Sequence, residues 1–131
     1  MTRTETEDLL RRVYQAYDEA DVAVIADLTG ENPTMHIPGT HPLAGVHEGQ
    51  DAVWAYLGKV AEVSGGVGGF VVSGITADED GHGVALLVGT IRDYVRPVAH
   101  VWRVEGGRTA EYWEVNFDQE AEDRFWNSAL G

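Results

Sequence analysis

Two side chains in the C-terminal third, His100 and Glu114, are of the types that acid/base chemistry needs. Each falls in a stretch of β character, about Val98 to Glu105 and Arg108 to Phe117, and Gly106-Gly107 between them marks a short turn that makes the two antiparallel neighbours. Because side chains alternate along a strand, His100, Trp102 and Val104 share one face, with Val101 and Arg103 opposite. On the next strand Tyr112, Glu114 and Asn116 oppose Glu111, Trp113, Val115 and Phe117. Both titratable groups can therefore face one interior. A carboxyl group in an apolar pocket is pushed up by desolvation, and an imidazolium neighbour opposes that rise. Such a Glu114 can take a proton from the carbon next to a carbonyl, while His100, or a phenol such as Tyr14 or Tyr17, stabilises the enolate oxygen. Two blander readings stand beside this one: a buried His-Glu hydrogen bond that orders the sheet, and a polar contact to a ligand that is bound but not changed.

Tyr14, Tyr17, Trp54 and Trp102 are the aromatic side chains expected to wall an apolar ligand site, with Tyr112 and Asn116 on the face of Glu114. His36, on a short strand, is the histidine of the N-terminal half expected to enter the pocket. With His41 and His47 it matches no zinc spacing, so no metal site is expected.

These groups need elements to hold them. Thr4 with Glu7 offers a capping box for a helix from about Glu5 to Ala20, whose apolar stripe of Leu10, Val13, Tyr14 and Tyr17 has helical spacing. Asp21 can cap a shorter helix through Val22, Ile25 and Leu28, which Gly30 and Pro33 stop. Thr34 to Ile37 reads as a short strand, residues 38 to 45 as an irregular Gly/Pro loop, and about Gln50 to Val63 as a third helix burying Val53, Trp54, Leu57 and Ala61. The run Gly65-Gly66-Val67-Gly68-Gly69 is a flexible connector from helix to strand, the reverse of a phosphate-binding loop. Four strands follow, about Phe70 to Ala77, Gly83 to Val95, Val98 to Glu105 and Arg108 to Phe117, with turns at Asp78-Glu79-Asp80-Gly81, Arg96-Pro97 and Gly106-Gly107. A last helix from Gln119 to Leu130, capped by Asp118, can lie over the sheet or against a partner. Three helical stripes must be buried against one face of a bent antiparallel sheet, which leaves a pocket between the layers.

Composition narrows the partners. Nine Lys and Arg against 22 Asp and Glu give a net charge of -13, a field that repels phosphate backbones and anionic lipid. Neither nucleic acid nor membrane is expected, and without about 18 consecutive apolar residues or a signal-like N-terminus, cytoplasmic residence is the default. Cysteine is absent, which removes disulfides and thiol chemistry. One domain over residues 1–131 is expected.

The N-terminal helix with its aromatic positions, the loop His36-Ile37-Pro38-Gly39-Thr40-His41-Pro42-Leu43-Ala44-Gly45-Val46-His47-Glu48-Gly49 and the ending from His100 to Glu114 resemble the SnoaL-like branch of the nuclear transport factor 2-like superfamily. The resemblance spans nearly the whole chain. It implies an α+β, cone-shaped fold in which three N-terminal helices pack on a strongly curved antiparallel sheet around a pocket for an apolar small molecule. It also implies a homodimer through the outer sheet face that carries Trp113, Val115 and Phe117. In the polyketide cyclases of that family a His on the penultimate strand and an Asp on the last strand serve an aldol-type ring closure. The matching positions here are His100 and Glu114, so the carboxylate stands one methylene further out. The activity implied is that of a cyclase or isomerase on a polyketide-like carbonyl compound, without a cofactor. The alternatives are a binding protein with no turnover and a dimerisation module whose cavity is filled by its own side chains. Steroid isomerases of the superfamily carry their base at the end of the first strand, where Ile37 to Thr40 has no carboxylate.

Overall fold

The computed structural model describes residues 1–66 and 69–131, so the middle of the expected glycine-rich connector, Val67 and Gly68, lies outside the described residues. Helices α1 (Arg3–Asp18) and α2 (Val22–Leu28) lead into strand β1 (Thr29–Ile37), the short β2 (Gly45–Glu48) and helix α3 (Gly49–Ser64). Strands β3 (Phe70–Ala77), β4 (His82–Ile91), β5 (Tyr94–Glu105) and β6 (Arg108–Asn116) then run to the last helix, α4 (Gln119–Leu130). The six strands form one sheet in the order β2-β1-β6-β5-β4-β3. β3 to β6 are the expected antiparallel meander, while β1 runs parallel to β6, a pairing of strands far apart in sequence.

Register shifts in the β1–β6, β3–β4 and β5–β6 pairs bend the sheet. The inner face of the bend takes the stripes of the helices: Leu9, Leu10, Val13 and Tyr17 of α1, Ile25 and Leu28 of α2 and Val53 and Leu57 of α3 pack on Met35, Ala85, Leu87, Val98 and Trp102. Gly83 is part of that contact, since a β-carbon there would collide with the end of the buried Leu10 side chain and force it to shift. A second, smaller cluster of Leu43, Val63, Ile91 and Trp126 joins α4 to the open end.

Four local expectations are corrected. The capping box of α1 lies two residues earlier, at Thr2 and Glu5, because Thr2 has the extended backbone a cap requires. β1 begins at Thr29, ahead of Pro33; the β2 partner and the regular β6 register both start at Thr34, so the missing proline N–H breaks no ladder bond. The loop before α3 is partly regular, because Gly45 to Glu48 pair with β1 as an edge strand. The hairpin between β4 and β5 turns at Arg92-Asp93, with Arg92 left-handed at φ 55°, and Arg96-Pro97 lies inside β5. A turn at the proline would have placed the Arg96 charge in solvent. The observed turn keeps it on the buried face, two positions before Val98 and four before His100.

Candidate active site

The inner face of the bent sheet and the helices enclose a cavity lined by side chains from α1 (Tyr14, Tyr17), α3 (Tyr56), β5 (Arg96, His100, Trp102), β6 (Tyr112, Glu114) and α4 (Trp126). Met35, Leu57, Val60 and Phe70 complete an otherwise apolar wall. The space is about 60 Å³, small beside the roughly 300–1,000 Å³ of sites that hold drug-sized ligands, so a ligand larger than a few atoms needs the lining side chains to move apart.

His100 and Glu114 are direct cross-strand partners on β5 and β6, both on the inner face and both nearly sealed from solvent, at 4% and 7% exposure. Tyr112 and Trp102 form the next pair on the same face, and the rings of His100, Trp102 and Tyr112 pack with centroids 4.8 Å apart for His100–Tyr112 and Trp102–Tyr112. Tyr14 reaches this cluster from α1, with its hydroxyl 2.7 Å from His100 Nδ1 and accepting from Trp102 Nε1 at 2.9 Å.

Glu114 is held from three sides. Arg96 Nη2 donates to its Oε1 at 3.1 Å, Asn116 Nδ2 to its Oε2 at 2.9 Å, and the Tyr112 hydroxyl lies 3.5 Å from Oε1. Arg96 also donates from Nε to Glu122 Oε2 at 3.1 Å, and its Nη2 is 3.0 Å from Glu122 Oε1. Glu122, fully buried on α4, accepts further bonds from Tyr94 and Trp126. One guanidinium thus stands between two buried carboxyl groups.

The electrostatics follow from burial. Desolvation raises the Glu114 carboxyl above its ordinary range, and Arg96 and Asn116 only partly oppose it. Burial works against the Arg96 charge, but Glu114 and Glu122 outweigh it and hold the guanidinium protonated. His100 is pushed down to about 3 by burial and by Arg96, so it is a neutral imidazole at neutral pH. Burial raises the phenols of Tyr14, Tyr17, Tyr56 and Tyr112, which stay protonated. A neutral imidazole, several phenols and a proton-hungry carboxyl group beside a fixed cation can move a proton at a carbonyl compound and shelter the oxygen charge that develops.

Of the residues singled out in the sequence, Tyr14, Tyr17, Trp102, Tyr112, His100 and Glu114 line the cavity. Three do not. His36 lies on the outer face of the sheet, stacked on Trp113 and 2.5 Å from Glu111, because its parity on β1 is opposite to that of the buried Met35 and Ile37. Trp54 packs half-buried against the core with its indole N–H on Gln50, and Tyr56 of the same helix takes the place at the cavity, braced by the ring of His47. Asn116 stands behind Glu114 and bonds the carboxylate and Gln119 instead of facing the space. Sequence reasoning missed Arg96, Glu122 and Tyr56. Counting back by twos from His100 would have found Arg96; nothing local distinguishes Glu122 from the other acids of α4.

Helices packed on one face of a bent sheet, closed around a small aromatic cavity, define an α+β fold of the cone-shaped class. The model of the SnoaL-like domain matches residues 10–112, and the chain belongs to that family. An uncharacterized protein of Mycobacterium tuberculosis is 29% identical over 96% of this chain and 99% of its own length. Among solved structures, Bal32a from a soil-derived mobile gene cassette superposes with a TM-score of 0.83 at 25% identity, covering 95% of this chain and 98% of that one. TerC, co-crystallised with polyporic acid, superposes with a TM-score of 0.76 at 16% identity, covering 95% and 98%. No helix among the described residues is long and apolar enough to cross a membrane.

Proposed function

We propose that this protein is a cyclase or isomerase that acts by acid/base chemistry, without a cofactor, on a compact apolar carbonyl compound of polyketide-like character. The observation that carries this reading is the cross-strand pairing of His100 and Glu114 on the floor of the cavity, with the Glu114 carboxyl raised by burial. Glu114 takes the proton from the carbon next to the carbonyl, and the electron pair of that C–H bond moves onto the carbonyl oxygen. Neutral hydrogen-bond donors of the wall, His100 or a phenol, shelter the enolate. The proton then returns at another carbon in an isomerisation, or the enolate carbon attacks a second carbonyl in a ring closure. TerC, which shares the fold and was co-crystallised with polyporic acid, supports a small organic ligand for a chain of this fold.

The test is hydrogen/deuterium exchange at the α-carbons of cyclic and aromatic ketones in deuterated buffer, followed by NMR. Wild type should catalyse exchange, and Glu114→Gln should lose on the order of a hundredfold or more of it, the usual worth of a positioned base. Ketone binding without exchange would overturn the mechanism. It would establish a second reading, a binding protein without turnover, which the existing engagement of both Glu114 oxygens by Arg96 and Asn116 favours.

The outer face of the sheet supports a homodimer in the same proposal. Leu86, Ala99 and Val115 form one row across β4, β5 and β6, and Val71, Val88 and Pro97 another beside it. Leu86, Val115 and Phe117 are exposed at 48%, 48% and 66% on a chain of charge -13, so a second copy finds there an area free of the repulsion acting elsewhere. Light scattering should give twice the chain mass for wild type and one chain mass for Val115→Asp; a monomeric wild type would refute the dimer.

A further inference from the structure

The bond from Trp102 to Tyr14 to His100 has a direction that chemistry dictates. An indole N–H only donates, so in the 2.9 Å contact the Tyr14 oxygen is the acceptor. The phenol proton must then point elsewhere, and His100 Nδ1, at 2.7 Å, receives it. Burial keeps that proton on the phenol by raising Tyr14, and burial with Arg96 keeps His100 neutral. A neutral imidazole that accepts at Nδ1 carries its hydrogen on Nε2. The ring is also fixed in plane, stacked on Tyr14 and edge-on to Phe70 and Tyr112.

Nε2 has no protein partner among the described residues, yet it is not sealed off. Among the described residues the fully buried side-chain nitrogens and oxygens without a partner are Thr6 Oγ1 and His41 Nε2, whereas His100 lines the cavity. Both oxygens of Glu114 are already approached by protein donors. The imidazole N–H is therefore a donor that the cavity wall offers with no protein acceptor on it.

We propose that Trp102 and Tyr14 are positioning residues that lock His100 as the Nε2–H tautomer, and that this N–H grips an acceptor oxygen, a ketone carbonyl or its enolate, on the bound ligand. The role at an enolate rests on the proton-abstraction reading above; the tautomer does not. His100 is in this assignment a donor and never the base, which separates its duty from that of Glu114. A reversed chain, with Nδ1–H donating to Tyr14, would leave the indole and the imidazole both donating to one oxygen and the phenol proton without an acceptor.

Long-range proton–nitrogen NMR of the 15N-labelled, ligand-free chain at pH 7, with His100 assigned by comparison with His100→Gln, reads the tautomer directly. The expected pattern is a protonated Nε2 and an unprotonated Nδ1. The opposite pattern, or an imidazolium, would overturn the assignment. Tyr14→Phe should bring in a detectable Nδ1–H population, and Trp102→Phe, which keeps the phenol, serves if the first variant does not fold. A pure Nε2–H form in both would remove the positioning role. For the ligand, acetophenone should bind wild type about tenfold tighter than α-methylstyrene, the isostere with CH2 in place of the carbonyl oxygen, as one well-made hydrogen bond to an acceptor predicts. Equal affinity would overturn the acceptor-oxygen class. The tautomer is read without ligand, so its failure leaves deuterium exchange untouched, and a failure of exchange leaves the tautomer standing.

Discussion

Arg96→Met should destabilise the fold by about 3–5 kcal/mol, the usual cost of removing one partner from a buried ion pair. The methionine fills much of the same space, so the loss is electrostatic. Glu114 and Glu122, on β6 and α4, would face each other with no cation between them, and both are nearly sealed from solvent. Arg96 is what allows α4 to lie against the cavity, because Glu122 is the point at which the helix enters the network. Urea denaturation measures the effect. The penalty should be greater at pH 8 than at pH 5, since Glu114, already raised by burial, protonates more readily once the opposing cation is gone. Arg96→Met with Glu122→Gln should recover part of the stability. A single variant within about 1 kcal/mol of wild type would show that the pairs contribute little beyond their own desolvation.

The second large effect is a pH dependence with a defined sign. The His100 pKa lies near 6.5 in the unfolded chain and is pushed down to about 3 in the folded one. Between these values the unfolded chain binds a proton that the folded chain refuses. His100 therefore contributes stability that is fully present above about pH 6.5 and is lost as the pH falls toward 3, at about 1.4 kcal/mol per pH unit. Glu114 has the opposite sign: its raised carboxyl favours folding at low pH and withdraws that support as the pH rises. The two are separated by comparing wild type with His100→Asn, whose amide oxygen can still accept from Tyr14. The stability difference between the two proteins should shrink steadily below pH 6.5, moving by several kcal/mol by pH 4. A difference independent of pH would mean that the imidazole is charged in the folded state.

Much of this site is legible in the amino-acid order. The alternation of β5 and β6 placed His100, Trp102, Tyr112 and Glu114 on one face, and the Gly106-Gly107 turn made them neighbours, because strand parity and a two-residue hairpin leave little freedom. The same parity misled where a turn was misplaced. Read as a hairpin turn, Arg96-Pro97 drops out of the alternation that runs back from His100 and the central cation of the network is overlooked, although proline is tolerated in β5 and the chain turns four residues earlier at Arg92-Asp93. His36 failed for a related reason. A short strand bounded by prolines does not reveal which of its faces is inner until its neighbours are known, and those are β6, 75 residues away at Glu111, and the unexpected β2. Helix α3 offered two aromatic residues two positions apart, Trp54 and Tyr56, and only the angle at which the helix lies on the sheet brings Tyr56 to the cavity.

The amino-acid order by itself determined the helices, the four-strand C-terminal meander, the inner face of its last hairpin and the chemistry available on it, because these rest on periodicity, turn residues and side-chain type, all of which act over a few residues. Tertiary structure decided which groups share one space: the parallel pairing of β1 with β6, the seat of α4, the bridge of Arg96 between Glu114 and Glu122, and the relay from Trp102 through Tyr14 to His100. Each of those joins groups distant in sequence or on separate elements, and hydrogen-bond distance, desolvation and charge compensation take effect only once the chain has brought them together.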